Sequence, residues 1–440
     1  MTNLQRGFLN ALQQGSASIT VAGQRIQGEE LASVAGGIAR RVAGANRVAV
    51  TAHPTLDTLL AVAGILLAGA AAVPINPAAG EVERKHVLSD SAADLVLREV
   101  DYRCRAPLPA DLPANESPAL IMYTSGSTGR PKGVLVPRRA IASNLDALQD
   151  AWQWTSDDTV THSLPFFHLH GLVFGGLGPL RHGSALVHTG TDFEPVKGTT
   201  LYFGVPSFWG SLTTEDLQAL RSARLLVTGA AALPRRVFDR ILTVSGHSLL
   251  NRYAMTETHV ITSPRVPGPR SASSVGSALP GMEVRLTDFV DDRIGSIEVR
   301  GNGLFLGYLG QGSPFTHDGW FPTGDLGRWN EHNELELVGR SSVDLIKTAG
   351  YRVGAGEVEE ALLEFPGVAE AAVLGVPDEH LGQRVAAWVV SHLPIDREQL
   401  TSFLAARLAS YKQPSDIHLI NRLPRTAVGK INKRALLEGM

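Results

Sequence analysis

Short apolar runs alternate with longer amphipathic stretches through the first part of the chain. The runs RVAVTA (47–52), AVPIN (72–76) and DLVLRE (94–99) have the length and apolar content of buried strands. Residues 56–70 are apolar over a length that suits a helix. Because short apolar strands separated by helices build parallel sheets covered on both faces, this pattern predicts an α/β fold.

The same alternation returns after residue 137. Residues 138–152 predict a helix, because apolar side chains recur on one face at helical spacing: Ile141, Leu145, Leu148 and Trp152. The apolar runs that follow predict further strands: SALVHTG (184–190), TTLYFGVP (199–206) and ARLLVTGA (223–230). The pattern therefore favours doubly wound, mostly parallel sheets in a large N-terminal domain.

The pattern changes after about residue 270. The segments EVRL, SIEVRG and LELVGR are short mixed strands separated by Gly, Asp and Asn turns, which predicts a small β-rich subdomain over about 271–340. Beyond Arg340, strand-like runs surround predicted helices at 356–365 and 397–409. We therefore predict an N-terminal domain over 1–340 and a small, mobile α+β C-terminal domain over 341–440.

Composition narrows the class of protein. The chain has 440 residues, of which 44% are hydrophobic and 19% are charged, and this composition excludes a disordered protein. Its net charge is −3, so the sequence does not indicate a surface that binds nucleic acid. The single cysteine, Cys104, excludes an intramolecular disulfide framework and suits a cytoplasmic protein. The start lacks the pattern of a secretory signal. The uncharged stretch 58–75 is rich in alanine and glycine, so we expect a buried helix and strand rather than membrane insertion.

The loop YTSGSTGRPKGV (123–134) carries the first candidate chemistry. It lies between the apolar runs PALIMY and VLVP and therefore joins two strands. A Walker A loop would place Ser or Thr after its lysine and lead into a helix, and this loop does neither. Its glycines, hydroxyls and Lys132 nevertheless suit phosphate groups. A mobile surface hairpin is the alternative.

Other stretches carry further candidate groups. In NRYAMTET (251–258), Glu257 could hold Mg²⁺ beside threonine hydroxyls, or it could be a solvent-facing side chain after a capping threonine. In PTGDLGRW (322–329), Asp325 could accept both ribose hydroxyls or close an ordinary turn. In PRTAVGKINK (424–433), Lys430 could be a mobile catalytic cation or a solvated tail lysine.

These stretches, in this order, resemble the adenylate-forming superfamily of acyl-CoA synthetases, adenylation domains and luciferases. The similarity covers nearly the whole chain, and the signature YTSGSTGRPKGV is highly specific. The resemblance implies an AMP-forming acyl-CoA synthetase that uses ATP, Mg²⁺ and coenzyme A. The expected partners are therefore ATP, coenzyme A and a small carboxylic acid substrate. Cys104 is not needed for such chemistry.

The resemblance also implies residue roles at the phosphates. One set would hold the β- and γ-phosphates: Thr124, Ser125, Gly126, Ser127, Thr128, Gly129 and Lys132. Thr256 would contact the α-phosphate, and Glu257 would coordinate Mg²⁺. Lys430 would reach both the acyl oxygen and the α-phosphate. This last position is where compensation of negative charge matters most.

Further roles implied by the resemblance concern the nucleoside and the thiol. Asp325 would bind the ribose hydroxyls with help from Arg340. The strand end TGAAALP, with Gly229, Ala230 and Ala231, would form one wall of the adenine site, and Tyr253 would stack nearby. Related enzymes rotate their C-terminal domain about the segment after Arg340. One orientation delivers Lys430, and the other brings Gly350 to a narrow pantetheine passage. A plain turn is the alternative for Gly350.

Within the superfamily, the chain is most similar to malonyl- and methylmalonyl-CoA synthetases. The phrases LPFFHLHGLVFGGLGPLRHG, LLVTGAAALP and DLIKTAGYRVGAGEVE carry this resemblance. His168 matches the pocket histidine of that family, and Arg252 matches the arginine that grips the second carboxylate. A buried arginine that faces a carboxylate can select a diacid.

The chain departs from that family at several pocket positions. Ser211 replaces a second arginine, Ala230 replaces a serine, and Ala254 replaces a glycine. Loss of a cation from a pocket for a dianion is costly unless another group substitutes, and Arg265 and His259 are the candidates. A short monocarboxylate is the competing substrate.

In the monocarboxylate alternative, Trp209 and Phe208 would shape the cavity. A carrier-protein loader, a luciferase-like oxygenase and an inactive binding protein are the remaining alternatives. The sequence does not determine the oligomeric state.

Overall fold

The computed structural model describes residues 11, 17–110, 113–124, 131–289, 293–341, 344–349, 351–425 and 431–438. The chain forms two compact units. The first consists of Met1–Val284 with Val299–Phe321, and the second of Arg285–Glu298 with Pro322–Met440. The predicted functional boundary after Arg340 stays a prediction.

The strands of the first unit follow the α/β pattern expected from the sequence. They are β1 (Ser18–Val21), β2 (Gln24–Gln27), β3 (Arg47–Thr51), β4 (Ala71–Ile75), β5 (Leu95–Leu97), β6 (Pro118–Thr124), β7 (Lys132–Pro137), β8 (Thr159–His162), β9 (Ala185–His188), β10 (Leu201–Phe203), β11 (Leu225–Thr228), β12 (Leu250–Asn251), β13 (Tyr253–Met255), β14 (His259–Ser263) and β15 (Ser277–Ala278).

Helices of the first unit connect these strands. They are α1 (Gly28–Arg41), α2 (Leu56–Leu67), α3 (Glu81–Ser91), α4 (Arg138–Trp152), a π-helix (His170–Leu177), α5 (Gly178–His182), α6 (Pro206–Ser211), α7 (Thr214–Ala219), a 3₁₀ turn (Leu220–Ser222) and α8 (Arg235–Ser245). The predicted helix at 138–152 is confirmed as α4, with all four residues of its apolar stripe buried.

Two sheets form the core of the first unit. One has the order β5-β3-β4-β6-β7 and is parallel except for the β6–β7 hairpin. The other has the order β12-β11-β10-β8-β9-β1-β2 and is parallel except for its β1–β2 edge. The predicted doubly wound, mostly parallel architecture is confirmed, and it brings the carboxyl ends of β10, β11 and β12 to one edge, where such sheets bind ligands.

The uncharged stretch at 58–75 lies inside this core. It forms most of α2 and all of β4, and both are buried almost throughout. Among the described residues, the structure contains no helix that combines the length and hydropathy needed to cross a bilayer. A helix that is apolar on every face is explained here by burial within the protein.

The second unit contains most of a four-stranded sheet and a separate α+β layer. The strands that lie wholly or partly in it are β16 (Met282–Thr287), β17 (Gly295–Gly301), β18 (Phe321–Trp329), β19 (Leu335–Arg340), β20 (Leu345–Thr348), β21 (Tyr351–Gly354), β22 (Val368–Asp378), β23 (Gly382–Ser391) and β24 (Asp416–Leu419). Its helices are α9 (Ala355–Leu363), α10 (Arg397–Ala405), a 3₁₀ turn (Ser410–Lys412) and α11 (Lys433–Glu438).

Sheet order separates the two parts of this unit. Strands β16-β17-β18-β19 form the predicted β-rich element, and β21-β20-β23-β22 form a second sheet with β24 beside β23. The long β22–β23 hairpin carries apolar side chains on both faces: Val373 and Val385 belong to one apolar cluster together with Leu400 of α10. Leu374 and Trp388 belong to another, so each face of the sheet has its own core.

Candidate functional site

The glycine-rich loop is held at the open end of the β6–β7 hairpin. Thr124 and Lys132 face each other as the last pair of this antiparallel ladder, which confirms that the loop joins two strands. Ser125, Gly126, Ser127, Thr128 and Gly129 lie outside the described residues. The hairpin thus brings the described ends of the predicted phosphate loop together.

Helix α3 fastens both ends of this loop. The Tyr123 hydroxyl donates to the Asp90 carboxylate at 2.7 Å, and the His86 ring nitrogen Nε2 lies 2.9 Å from the Pro131 carbonyl oxygen. Burial, together with the hydrogen bond to Asp90, raises the pKa of Tyr123. Sequence reasoning missed His86 and Asp90, although their spacing of four residues places both on one helix face.

Glu257 lies in the tight turn between β13 and β14. The Thr258 amide donates to the Met255 carbonyl at 3.3 Å, which closes the turn around Thr256 and Glu257. Thr256 is half-buried and Glu257 is buried. The Glu257 side chain therefore lies inside the protein, and the solvent-facing alternative is wrong.

Tyr308 contacts both charged groups of the predicted phosphate site. Its hydroxyl donates to Glu257 Oε1 at 3.0 Å, and the Lys132 Nζ lies 5.5 Å from the centre of its ring. Sequence reasoning missed this residue. Lys132 and Glu257 are distant in sequence, yet the structure brings both to one aromatic side chain, Lys132 to its ring and Glu257 to its hydroxyl.

The donor set at this position fits Mg²⁺ shared with phosphate groups. Mg²⁺ is usually held by one or two carboxylates together with substrate phosphates and water. Glu257 supplies one buried carboxylate, and no cluster of three or more His, Cys, Asp or Glu residues that could hold a metal occurs in the described part of the chain. The site therefore suits a metal that arrives with a nucleotide.

Arg252 lies at the carboxyl edge of the seven-stranded sheet, directly after β12. Its amide donates to the Thr228 carbonyl at 3.2 Å, and its guanidinium packs against Gly229 and lies 5.4 Å from the Phe174 ring. The residue is only 3% exposed. Its Nε and Nη2 have no hydrogen-bond partner among the described residues.

The guanidinium of Arg252 remains charged at neutral pH. Burial lowers its pKa to about 10, which is still well above neutrality. A buried cation with unpaired donors is costly for a folded protein. The arrangement can therefore bind an anionic group that enters this pocket.

The π-helix brings two more side chains to the same region. His170 and Phe174 lie on it, and π-helical turns occur often at functional sites. Burial first, and then the nearby Arg252 cation, lowers the pKa of His170 well below its ordinary value. The His170 ring is therefore neutral, and its Nδ1 has no hydrogen-bond partner within the described residues.

The remaining predicted pocket residues lie near these elements in sequence. His168 is half-buried, packs on the Phe167 ring at 4.4 Å, and accepts the Leu172 amide at 2.9 Å through its carbonyl. Gly229 is buried, whereas Ala230 and Ala231 are exposed. Ala230 has a φ of +73°, an unusual conformation for alanine that occurs preferentially at functional sites.

The predicted aromatic side chain of the adenine site is largely covered. Tyr253 is 5% exposed, and its hydroxyl lies 3.7 Å from the Met255 sulfur. Its stacking against adenine stays a prediction.

Neither predicted substitute for the missing pocket arginine is suitable. Arg265 lies at the surface and pairs with Asp150. His259 is fully buried, with Nδ1 2.9 Å from the Gly303 carbonyl oxygen, and burial lowers its pKa to about 4. Because one side chain is already paired in solvent and the other is neutral, the suggestion that either replaces the cation is wrong. Ser211 is exposed, and its hydroxyl donates to the Phe208 carbonyl at 2.9 Å.

Trp209 lies in the apolar interior of the first unit. It is fully buried in an apolar cluster with Tyr202 and Leu226, and Phe208 packs against the same cluster. The role predicted for Trp209 and Phe208 in a monocarboxylate cavity stays a prediction.

In the second unit, Asp325 and Arg340 face each other across β18 and β19. Their side chains form an ion pair at 2.8 Å, and Arg340 also donates to the Thr323 carbonyl at 3.1 Å. The Thr323 hydroxyl accepts the Asp325 amide at 3.1 Å. These contacts hold the Asp325 carboxylate in one orientation, as the predicted ribose contact requires.

The two remaining predicted residues, Lys430 and Gly350, lie outside the described residues. Lys433 follows Lys430 closely and is held by a 2.6 Å ion pair with Glu359 and a second ion pair with Asp344. Sequence reasoning missed this cluster. It fixes the start of α11 to the segment that follows β19.

Comparisons with known proteins agree with this arrangement. The sequence profile described as AMP-binding enzyme matches residues 28–108 and 98–309, and the profile described as AMP-binding enzyme C-terminal domain matches residues 357–430. Together they span most of the chain. The mitochondrial malonate–CoA ligase ACSF3 of Homo sapiens is 32% identical over 457 residues, covering 84% of this chain and 79% of that protein.

Two solved structures are similar in fold and sequence. A malonyl-CoA ligase ternary product complex with methylmalonyl-CoA and AMP bound is 42% identical, covers 94% of this chain and 99% of its own, and has a TM-score of 0.72. ATP-bound MatB from Rhodopseudomonas palustris is 30% identical, covers 100% of this chain and 99% of its own, and has a TM-score of 0.89. The predicted α/β fold class is therefore confirmed.

Proposed function

This chain belongs to the AMP-binding enzyme family, and from that premise we propose that it is an AMP-forming acyl-CoA synthetase for a small dicarboxylic acid such as malonate or methylmalonate. The acid carboxylate attacks the α-phosphorus of ATP, which forms an acyl-adenylate and releases pyrophosphate. The thiol of coenzyme A then displaces AMP and leaves a thioester. ATP and coenzyme A are the co-substrates, with Mg²⁺ bound beside the phosphates.

The observation that carries the choice of acid is the buried guanidinium of Arg252. Two of its nitrogen atoms have no partner among the described residues, and the side chain is 3% exposed. A second carboxylate at this position would form charge-assisted hydrogen bonds and compensate the buried charge. A monocarboxylate such as propionate would leave the guanidinium uncompensated.

His170 supports the same assignment. Its ring is neutral, and its buried Nδ1 lacks a partner within the described part of the chain. A neutral imidazole has one N–H group, so it can donate one hydrogen bond to a carboxylate although it carries no positive charge. Arg252 and His170 therefore offer an anion a strong cationic donor and a weaker neutral one.

The first half-reaction must overcome repulsion between two anions. Each close charge pair contributes roughly 4 kcal/mol at an intermediate effective dielectric, so the reacting groups need several positive partners. We assign Thr124 and Lys132 to the phosphates and Glu257 to the metal, with Thr256 at the α-phosphate. Bound Mg²⁺ would supply additional positive charge at the phosphate oxygens.

Other assignments rest on the family resemblance. We propose that Asp325, oriented by Arg340, accepts hydrogen bonds from the ribose hydroxyls. We propose that Gly229, Ala230, Ala231 and Tyr253 border the adenine, and that Lys430 and Gly350 serve adenylation and thioester formation respectively. His168 would contact the acid.

A short-chain monocarboxylate is the second candidate substrate. The observation that favours it is the absence of two polar partners for a second carboxylate, since Ser211 is exposed and Ala230 has no hydroxyl. This weakens the grip on a diacid but leaves Arg252 in place.

Substrate competition tests the choice. We would measure kcat/KM for malonate, methylmalonate, acetate, propionate and butyrate with the unaltered protein and with Arg252→Met, which removes the charge and keeps most of the side-chain volume. The proposal expects the diacids to be preferred and the variant to lose that preference. Preference for propionate, with rates unaffected in Arg252→Met, would contradict it.

The cellular location is a separate proposal. The single cysteine suits a reducing compartment, and we propose the cytoplasm, although the human relative is named as mitochondrial. Fractionation of cells that produce the tagged full chain would test this, and recovery with another compartment would overturn it.

A further inference from the structure

We propose that Tyr308 is a positioning residue that holds Glu257 and Lys132 apart and keeps both available, one for the metal and the other for the phosphates. This inference rests on the proposed function. The Tyr308 hydroxyl donates to Glu257 Oε1 at 3.0 Å, and the Lys132 Nζ lies 5.5 Å from the ring centre. One side chain thus contacts two groups of opposite charge in different ways.

The backbone around Tyr308 is fixed to the same hairpin that carries Lys132. The Leu309 amide donates to the Gly133 carbonyl at 2.8 Å, and the Leu135 amide donates to the Gly307 carbonyl at 3.0 Å. Tyr308 itself forms an isolated antiparallel bridge with Val134. The position of Tyr308 relative to Lys132 is therefore set by paired backbone rather than by a free loop.

The ring of Tyr308 is held by an aromatic cluster. Phe305 is buried and meets the Tyr308 ring edge-on at 5.0 Å. The Phe305 amide donates to the Glu257 carbonyl at 2.8 Å, which ties the turn that carries Glu257 to this segment. Both the ring and the carboxylate that it contacts are thus fixed by neighbouring atoms.

Opposite charges in one cleft would otherwise attract each other. An ion pair between Lys132 and Glu257 would neutralise both groups, yet no such pair occurs within the described residues. Tyr308 offers the carboxylate a hydroxyl donor and the ammonium the negative face of its ring. The carboxylate then has its second oxygen, Oε2, for a metal, and the ammonium keeps its hydrogens for phosphate oxygens.

The two contacts can be separated by substitution. Tyr308→Phe removes the hydroxyl and keeps the ring, whereas Tyr308→Leu removes both. We expect Tyr308→Phe to weaken binding of ATP in the presence of Mg²⁺ about tenfold, as expected for the loss of one hydrogen bond to a charged group, and to leave metal-free ATP binding unchanged. We expect Tyr308→Leu to weaken both.

Calorimetric titration of the full chain with ATP, with and without Mg²⁺ and without any acid, measures these affinities independently of turnover. Tyr202→Phe is the matched control, because the Tyr202 hydroxyl also donates a hydrogen bond in the same unit, to the Val196 carbonyl at 3.0 Å, but touches none of the described charged groups of the site. A general loss of stability would affect both variants alike.

Three results would overturn the inference. They are an unchanged affinity for ATP with Mg²⁺ in folded Tyr308→Phe, an equal loss with and without Mg²⁺, or the same Mg²⁺-specific loss in Tyr202→Phe. Failure of the proposed function gives a different result: the unaltered protein would then bind ATP but release no AMP with any acid and coenzyme A.

Discussion

Substitution of Gly229 by alanine tests the geometry of the acid pocket most directly. A Cβ atom at this position would lie 2.9 Å from Cζ and Nη1 of Arg252 and 3.0 Å from Nε. Real Cβ atoms do not approach other heavy atoms so closely, so the guanidinium must move. Because Arg252 is only 3% exposed, little free space is available for that movement.

The expected loss follows from the hydrogen bonds at stake. Hydrogen bonds to charged groups contribute about 1.5–3 kcal/mol, which corresponds to a loss of roughly 10- to 100-fold in affinity or rate. We therefore expect Gly229→Ala to lower kcat/KM for malonate by about that factor. Propionate has no second carboxylate, so its kcat/KM should change much less.

The assay compares both acids by release of AMP at saturating ATP and coenzyme A. Gly210→Ala is the matched control: its added Cβ would first meet a Val237 side-chain atom at 3.5 Å, an ordinary contact. The reasoning is refuted if Gly229→Ala uses malonate normally. It is also refuted if kcat/KM for malonate and kcat/KM for propionate fall by the same factor, because the substitution would then not act on binding of the second carboxylate.

Three further predictions concern the acid pocket, the catalytic lysine and acid stability. Ala230→Ser should lower KM for malonate, because the diacid enzymes that the chain resembles carry a serine hydroxyl at this position; an unchanged KM would contradict a role for position 230 in binding the second carboxylate. Lys430→Ala should abolish ATP–pyrophosphate exchange while thioester formation from supplied acyl-AMP largely survives, and equal loss of both half-reactions would contradict the domain rotation. Burial lowers the pKa of His259 from 6.5 to about 4, so between these values the unfolded chain binds more protons than the native protein. Stability should therefore fall as the pH falls through this range, by up to about 3 kcal/mol from this residue. Denaturation by urea should show a smaller decline in His259→Asn, whose side chain tolerates the φ of +58° found here, and an equal decline would refute the assignment.

The spacing of apolar residues along the chain predicted where helices occur better than where they end. The stripe of apolar residues at 138–152 gave α4 with its observed limits, since helical spacing is a local property. The helix predicted at 397–409 ends earlier, at Ala405. Element ends depend on caps and packing as well as on apolar spacing, so they are less well determined.

Candidate residues were predictable where a motif carries them and unpredictable where only packing does. Glu257 and Lys132 belong to recognisable stretches, but Tyr308 lies 51 positions from Glu257 and in no recognised motif. Trp209 is visible in the sequence as an aromatic side chain, but only the packing of distant segments places it in one apolar cluster with Tyr202 and Leu226.

The amino-acid sequence by itself determined the α/β class, the family and the groups that suit ATP. Those features depend on residue order and local spacing, which a linear chain already contains. Only the tertiary structure decided that Arg252 is buried with two nitrogen atoms that have no partner in the described part of the chain, that His259 is neutral and that Tyr308 contacts both Glu257 and Lys132. Burial and partners are set by segments far apart in the chain, and these determine the charge and the hydrogen bonds of each side chain.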